Sequence, residues 1–128
     1  MKLEVLEFNK SSTQTIDEFS DLIQKIINEN DELRDFRCYE SSYSGSIKVE
    51  LLFSGVKSKL VEVLAFGPAP QCDIMSQLNG TMEVACNQSK DTKFAGLVPL
   101  SKSPRCVGFL VLQKDIENKG ITESAKIQ

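Results

Sequence analysis

Residues 15–28 carry the pattern that most constrains the fold, because their apolar side chains recur every three or four positions. An α-helix places residues at that spacing on one face, so the segment predicts an amphipathic helix with one buried side. Thr15 followed by Glu18 has the spacing of a capping box, which predicts that the helix begins there. Its end is expected between Asn28 and Asn30. The apolar face comprises Ile16, Phe19, Leu22, Ile23, Ile26 and Ile27.

Most of the remaining chain carries patterns typical of β-strands. Residues 47–53 alternate apolar and polar side chains, which predicts a strand buried on one face. Residues 3–8, 60–66 and 106–112 are apolar on both faces, which favours strands covered on both sides. The other predicted elements are strands over residues 36–40, 81–86 and 94–100, a short helix over 71–78, a turn at Asn79-Gly80 and an irregular segment over 67–70.

The order of these elements predicts an α+β fold. We expect one mostly antiparallel sheet of about six or seven strands, with the N-terminal helix packed on one face (β-α-β-β-β-(short α)-β-β-β). The 128 residues suit a single domain. Residues 1–114 are expected to form it, and residues 115–128 to be a weakly ordered tail or a short helix. No internal repeat is apparent in the sequence.

The chain contains no histidine, which narrows the chemistry available to it. Histidine is the side chain most used for proton transfer near neutral pH and is the commonest neutral metal ligand. Cys38, Cys72, Cys86 and Cys106 form no CxxC pair, whereas an all-cysteine zinc site normally draws on close pairs. We interpret these cysteines as core residues. The sequence therefore predicts a protein that is not an enzyme and has no catalytic residue, no metal site and no cofactor.

The net charge of −3 is unevenly distributed along the chain. Residues 1–40 hold ten acidic and five basic residues, whereas residues 41–113 hold five acidic and seven basic residues. An acidic surface can dock a basic partner, because opposed charge accelerates their encounter. The alternative interpretation is a solvated helix face that only contributes to solubility. Our leading hypothesis is a small binding protein that inhibits or neutralises a macromolecule, most simply a protein, as immunity and anti-defence proteins do. Its predicted contact residues are Asp17, Asp21, Glu29, Asp31, Glu32 and Asp35.

A second hypothesis rests on basic residues in three loops next to predicted strand ends. If those loops meet at one end of the sheet, they form a site for a nucleotide or another phosphorylated small molecule. The chain has no Walker motif and no GxGxxG, so no motif defines the geometry of such a site. Duplex nucleic acid is not expected as a partner, because binding it depends on positive charge that this acidic chain lacks. The residues are Lys57, Lys59, Lys90, Lys93, Lys102 and Arg105.

A third hypothesis is an oligomeric structural or assembly subunit. Residues 94–100 contain Pro99 and are expected to form an edge strand, whose free backbone groups can pair with a second copy to make a homodimer. A membrane is not an expected partner, because no apolar run approaches the roughly 20 residues that span a bilayer. The first residues alternate charged and apolar side chains, unlike a signal peptide, which predicts a cytoplasmic protein.

Overall fold

The computed structural model of the protein describes residues 1–9, 14–43 and 45–116. These residues form an α+β fold with six strands and two helices, as the sequence predicts. Of the predicted tail, Asp115 belongs to the last strand, and residues 117–128 lie outside the described residues. The elements are β1 (Lys2–Phe8), α1 (Ile16–Glu29), β2 (Leu33–Glu40), β3 (Ile47–Phe53), β4 (Lys59–Pro70), α2 (Gln71–Asn87), β5 (Asp91–Pro99) and β6 (Arg105–Asp115).

The strands form two antiparallel sheets of three rather than the single sheet that we predicted. Sheet A has the order β1-β3-β2 and sheet B has the order β4-β6-β5. The N-terminal unit (residues 2–53) and the C-terminal unit (residues 59–115) therefore share one topology: strand, helix, strand, strand, with the third strand in the centre. The chain therefore contains a structural repeat, although no internal repeat was apparent in its sequence. A trace of it survives in the first strands, where residues 4–8 read EVLEF and residues 62–66 read EVLAF.

The α1 helix forms where its apolar spacing predicts. Thr15 adopts an extended conformation (φ −84°, ψ 163°), and its Oγ1 accepts a hydrogen bond of 3.1 Å from the Glu18 backbone N–H. Phe19, Ile23 and Ile27 are buried at intervals of four residues. Leu22, which we placed on the apolar face, is instead 38% exposed because it lies at the margin of that face.

The main core lies between the two sheets. It joins the buried face of α1 to the inner face of β3, where Ile47, Val49, Leu51 and Phe53 are almost completely buried. Sheet B contributes the face that carries Phe109 to the same core. Phenylalanine rings connect the layers, because the Phe19 ring lies 6.3 Å from that of Phe109 in an edge-on arrangement. Sheet A and α1 therefore cover one face of sheet B.

The opposite face of sheet B is covered by α2. Ile74 and Leu78 pack there against Leu110 and Leu112 of β6. Because β6 lies between two cores, its residues from Cys106 to Leu112 are all buried. This confirms the prediction that residues 106–112 form a central strand.

Residues 81–86 form part of α2, so the predicted strand and the predicted turn at Asn79-Gly80 were wrong. Ile74, Leu78 and Ala85 are buried along this 17-residue helix at intervals of four and seven, which is a helical spacing. Contact with β6 outweighs the local preference of Asn79-Gly80 for a turn, because tertiary packing contributes most of the stability of a helix.

The segment over residues 67–70, predicted to be irregular, completes β4 after a break in register between Phe66 and Ala69. A cis peptide bond joins Gly67 to Pro68 within this break. Gly67 has a φ of +101°, and a Cβ there would lie 2.7 Å from the Cys106 carbonyl oxygen. Only glycine fits this position without moving the backbone of the neighbouring strand.

The outer edge of β4 is paired with side chains of α1. The Gln24 amide donates to the Val61 carbonyl (2.8 Å) and accepts from the Val63 N–H (2.8 Å). Ser20 Oγ donates to the Val63 carbonyl at 3.3 Å. These contacts occupy backbone groups that an edge strand would otherwise offer to another chain. They also connect the N-terminal unit to the C-terminal unit.

β5 is an outer strand of sheet B, as the sequence predicts, and it contacts β2 of sheet A. A Cβ added at Gly96 would lie 2.7 Å from Cys38 Sγ, and the Phe36 and Phe94 rings stack with centroids 6.3 Å apart. Pairing of this strand with a second copy stays a prediction.

Candidate functional site

Four of the six predicted acidic contact residues are exposed on or near α1. Asp17 and Asp21 are about one turn apart on the same side of the helix, and Glu29 lies at the end of the helix. Asp31 is exposed just beyond the helix end. These four carboxylates, which we call the acidic stripe, form a surface that a basic partner can reach.

Glu32 and Asp35 serve the fold instead. Glu32 is only 4% exposed, and its carboxylate accepts a 3.0 Å hydrogen bond from the Ser58 N–H. Asp35 is half-buried, and its Oδ1 accepts from the N–H of Phe36 at 3.0 Å. The sequence could not separate these two residues from the acidic stripe, because their lower exposure arises only in the folded chain. For Glu32 it comes from packing against the loop that contains Ser58.

Asp17 and Asp21 also line an open groove of about 340 Å³ between α1 and β4. Glu62 lies on the β4 side of the groove, where its carboxylate is 3.3 Å from the Lys90 ammonium. Within the described ranges, no three acidic or cysteine side chains are grouped closely enough to hold a metal ion. The groove therefore suits a cationic side chain better than a bound metal.

Two of the six predicted basic residues bind acceptors of the protein itself, Lys57 at the end of α1 and Lys59 at the end of β6. Lys57 Nζ donates to the carbonyls of Ile27 (3.0 Å) and Asn28 (3.2 Å), where a cation complements the negative end of the helix dipole. Lys59 forms a salt bridge with Asp115, and this hydrogen bond raises the pKa of the Lys59 ammonium. Both lysines are thus occupied inside the protein.

Two further lysines, Lys90 and Lys93, are occupied in the same region of sheet B. Lys90 pairs with Glu62 as described above. Lys93 Nζ lies 5.3 Å from the centre of the Phe94 ring, within the range of a cation–π contact. Lys90 is therefore compensated by a carboxylate, and Lys93 contacts a ring and lines none of the cavities described below.

The remaining two basic residues lie at the opposite end of sheet B. The pairing of β4 with β6 sets Lys59 against Asp115 at one end and Pro70 against Arg105 at the other. A strand of 12 residues spans roughly 35 Å, so the six basic residues do not converge on one site. Lys102 in the loop between β5 and β6 and Arg105 at the start of β6 line the same cavity.

This loop forms one wall of an open cavity of about 680 Å³, which we call the Arg105 cavity. The other walls come from the end of β1, the start of α1 and the break in β4. It is the largest of the three cavities described here. The lining residues are Phe8, Gln14, Thr15, Ile16, Gly67, Pro68, Leu100, Lys102, Ser103 and Arg105.

Backbone hydrogen bonds hold the loop in place. Leu100 N–H donates to the Arg105 carbonyl and Ser103 N–H to the Leu100 carbonyl, both at 3.1 Å. Ser103 Oγ accepts from the Arg105 N–H at 3.2 Å. The Glu40 carboxylate accepts from the Ser101 N–H through both oxygens, at 3.0 and 3.1 Å. The end of β2 in sheet A thereby positions a loop of sheet B.

The electrostatics of the Arg105 cavity favour an anion. Its ten described lining residues include the cations Lys102 and Arg105 and no carboxylate. Within residues 1–9, 14–43 and 45–116, neither of these side chains forms an ion pair or a hydrogen bond. Both are exposed and able to bind a ligand.

A cavity of about 410 Å³, which we call the Lys90 cavity, lies at the other end of sheet B and has a different character. It is lined by Lys90 and Lys114 but also by Glu62, which pairs with Lys90. Its remaining polar groups are amides such as Gln24, which is engaged with β4. This cavity offers an anion less uncompensated positive charge than the Arg105 cavity does.

Sequence reasoning singled out Lys102 and Arg105 but missed the other parts of this site. Phe8 and Ile16 lie far from the loop in the chain, and no local pattern connects them to it. The anchoring role of Glu40 also depends on the packing of sheet A against sheet B. Only the Ser- and Pro-rich composition of residues 101–104 indicated a loop.

The four cysteine thiols are free, but only two of them are protected from solvent. Cys106 is buried and Cys38 is half-buried, and burial raises the pKa of the Cys38 thiol to about 11. A thiol with that pKa is protonated at neutral pH and is a poor nucleophile. Cys72 and Cys86 are exposed on α2, so their assignment to the core was wrong.

No family model matches the sequence, and no curated protein and no solved structure is significantly similar to it. In the described part of the chain, neither helix is long and apolar enough to cross a membrane. The fold itself defines an α+β protein built from two stacked strand–helix–strand–strand units.

Proposed function

We propose that this protein is a binding protein without catalytic activity, and that it binds a small anionic ligand in the Arg105 cavity. The observation that carries the proposal is the contrast among the six basic residues. Lys57, Lys59 and Lys90 bind polar groups of the protein itself, and Lys93 lies over the Phe94 ring away from the cavities described above. Lys102 and Arg105 are free of such partners within the described residues and share one cavity.

The chemistry of these two side chains supports an oxyanion as the ligand. An arginine guanidinium can donate two parallel hydrogen bonds to a phosphate or carboxylate, and a lysine ammonium adds a mobile charge. Ser103 Oγ accepts from the backbone N–H of Arg105, so the Ser103 hydroxyl proton is able to donate to a ligand. The hydrogen-bonded loop has little conformational freedom to lose on binding.

The proposed location is the cytoplasm. Free thiols at all four cysteine positions in the described part of the chain fit a reducing compartment. The absence of histidine and the raised pKa of the half-buried Cys38 thiol support a binding role over a catalytic one.

The test is an NMR titration of the full chain with inorganic phosphate at low ionic strength. We expect a dissociation constant on the order of 1 mM, typical of a site with two cations and little apolar contact. The amide signals of residues 101–105 should shift most. Lys102→Gln and Arg105→Gln should each weaken binding about tenfold, since each removes a charge-assisted hydrogen bond.

Lys90→Gln is the matched control, because it removes a lysine at the other end of sheet B. It should leave the phosphate affinity unchanged. Equal loss of affinity in Lys90→Gln and Lys102→Gln would show general charge attraction and would contradict the proposal. So would the absence of any shift in residues 101–105 at tens of millimolar phosphate.

A second candidate function rests on the acidic stripe. Asp17, Asp21, Glu29 and Asp31 are all exposed, and the groove beside Asp17 and Asp21 suits a lysine or arginine side chain. We propose on this basis that the protein can also dock a basic macromolecule, most simply a protein that it inhibits. Opposed charge would accelerate their encounter at low salt.

Parallel pull-downs from the native host at low salt test this second candidate. The triple variant Asp17→Asn, Asp21→Asn, Glu29→Gln should lose a basic partner that the natural sequence retains. A matched triple variant, Asp73→Asn, Glu83→Gln, Asp91→Asn, removes three exposed carboxylates elsewhere and should keep that partner. Capture of the same proteins by both variants, or of none by the natural sequence, would remove this candidate.

A further inference from the structure

We infer that the ligand of the Arg105 cavity is an amphipathic anion: one phosphate or carboxylate headgroup attached to a compact apolar body, such as an aromatic ring. The inference rests on the proposed function, because it takes the cavity as the binding site. The new element is the apolar half of the ligand. It excludes a bare inorganic anion as the preferred occupant.

The apolar body is indicated by the walls that face the loop. Phe8, Ile16, Pro68 and Leu100 line the cavity, and Phe8 and Leu100 are each only 5% exposed. The Phe8 ring is held against the Phe19 ring at a centroid distance of 5.3 Å. Phe8 and Leu100 therefore form a fixed base for this wall, and its more exposed part comes from Ile16 and Pro68.

The headgroup is expected at the loop wall and not at the helix wall. Lys102 and Ser103 belong to the short loop between β5 and β6, and Arg105 is the first residue of β6. At the helix wall, the Thr15 hydroxyl already accepts from the Glu18 N–H and donates to the Glu18 carboxylate at 3.2 Å. That carboxylate would repel an anion. The apolar body would therefore lie towards Phe8 and Ile16.

The size of the cavity agrees with a small organic ligand. Sites for such ligands typically measure about 300–1,000 Å³, with mostly apolar walls and a few polar groups that orient the ligand. The Arg105 cavity, at about 680 Å³, combines both kinds of wall. An ion as small as phosphate would contact only the loop and leave the apolar walls uncovered.

The experiment compares four probes by NMR titration of the full chain: inorganic phosphate, phenyl phosphate, benzoate and benzyl alcohol. Phenyl phosphate should bind at least about tenfold more tightly than inorganic phosphate, because burial of a ring's apolar surface contributes at least that factor. Benzyl alcohol, which has the ring without the charge, should bind at least tenfold more weakly than phenyl phosphate. Benzoate tests whether a carboxylate replaces the phosphate headgroup.

Two variants separate the halves of the site. Ile16→Ala should weaken phenyl phosphate about threefold and leave inorganic phosphate unchanged, because it trims only the apolar wall. Arg105→Gln should weaken both phosphates. Leu60→Ala is the matched control, since it removes an apolar side chain at the Lys90 cavity and should change neither affinity. Circular dichroism would establish that each variant is folded.

The outcomes distinguish this inference from the proposed function. If phenyl phosphate and inorganic phosphate bind residues 101–105 with equal affinity, the amphipathic ligand is overturned and the anion site stands. If no probe shifts these residues, both proposals fail. If benzyl alcohol binds as tightly as phenyl phosphate, the cavity is an apolar site and the anionic headgroup is overturned. Tighter binding of either benzoate or phenyl phosphate identifies the headgroup.

Discussion

The N-terminal and C-terminal units have the same order of strands and helix, yet their central strands are buried in different ways. β3 alternates between buried and half-buried residues, whereas β6 is buried continuously from Cys106 to Leu112. The cause is position in the stack. Sheet A faces the core on one side only, and sheet B has sheet A and α1 on one face and α2 on the other. Burial therefore depends on what covers a sheet and not on its topology.

The two helices differ in how strongly their own sequences favour a helix. α1 begins with a side-chain cap and buries an apolar stripe, so its sequence alone predicts it. α2 begins after Pro70, which has no side-chain hydrogen-bonding group, and its apolar residues are spread more evenly around the helix. α2 depends more strongly on contact with the sheet. Four measurements test this comparison of the two units.

The largest effect is expected from a matched pair in the central strands. Phe109 of β6 and Glu50 of β3 both lie on the side of their sheet that faces away from its own unit's helix. Phe109→Ala should lower the free energy of unfolding by about 3–5 kcal/mol, because it opens a cavity in the main core. Glu50→Ala should cost under about 1 kcal/mol. Urea denaturation measures both, and similar losses would refute the stacking of the units.

A smaller effect is expected where α1 joins the units. Gln24→Ala removes two hydrogen bonds to the edge of β4 and should cost about 1–2 kcal/mol. It should also promote self-association, because the freed edge can pair with another chain. Lys25→Ala, at the neighbouring exposed position, is the control and should leave stability and light scattering unchanged. A monomeric Gln24→Ala protein of full stability would show that the edge needs no protection.

The next effect separates helix from turn at Gly80. Gly80→Ala should raise the free energy of unfolding by about 0.5–1 kcal/mol, because alanine favours a helix interior and its Cβ would meet nothing within 4 Å. A turn with positive φ would instead be destabilised by this change. Gly108→Ala is the contrasting variant and should be destabilising, since its Cβ would lie 2.6 Å from Ile74 Cγ2.

The smallest effect concerns the exposed face of sheet A. The hydrogen bond of 2.9 Å from Tyr39 to the Glu50 carboxylate raises the pKa of Tyr39 above its ordinary value of 10.0. Glu50→Ala should lower that pKa, which phenolate absorbance measures. Because the folded-state pKa is the higher one, this contact stabilises below about pH 10 and is lost as the pH rises through the folded pKa. An unchanged pKa in the variant would contradict the hydrogen bond.

The sequence alone determined the features that depend on neighbouring residues. The Thr15 cap and the spacing of Phe19, Ile23 and Ile27 were enough to locate α1, and the alternation in residues 47–53 was enough to locate β3. These signals are local, because a helix or strand with one buried face shows its period within a few residues. The Ser- and Pro-rich composition of residues 101–104 likewise indicated the loop that carries Lys102.

The remaining features of the fold and of the site depend on contacts between residues that are distant in the chain. Tertiary structure divided the strands into two sheets and kept residues 81–86 helical, because β6 offered α2 a surface to cover. It occupied Lys57, Lys59 and Lys90 with partners from other elements, and it buried Glu32 beneath a loop. Lys102 and Arg105 became a site only when Phe8 and Ile16 were folded against them. The physical reason is that burial and electrostatic pairing depend on proximity in space, which a local pattern does not contain.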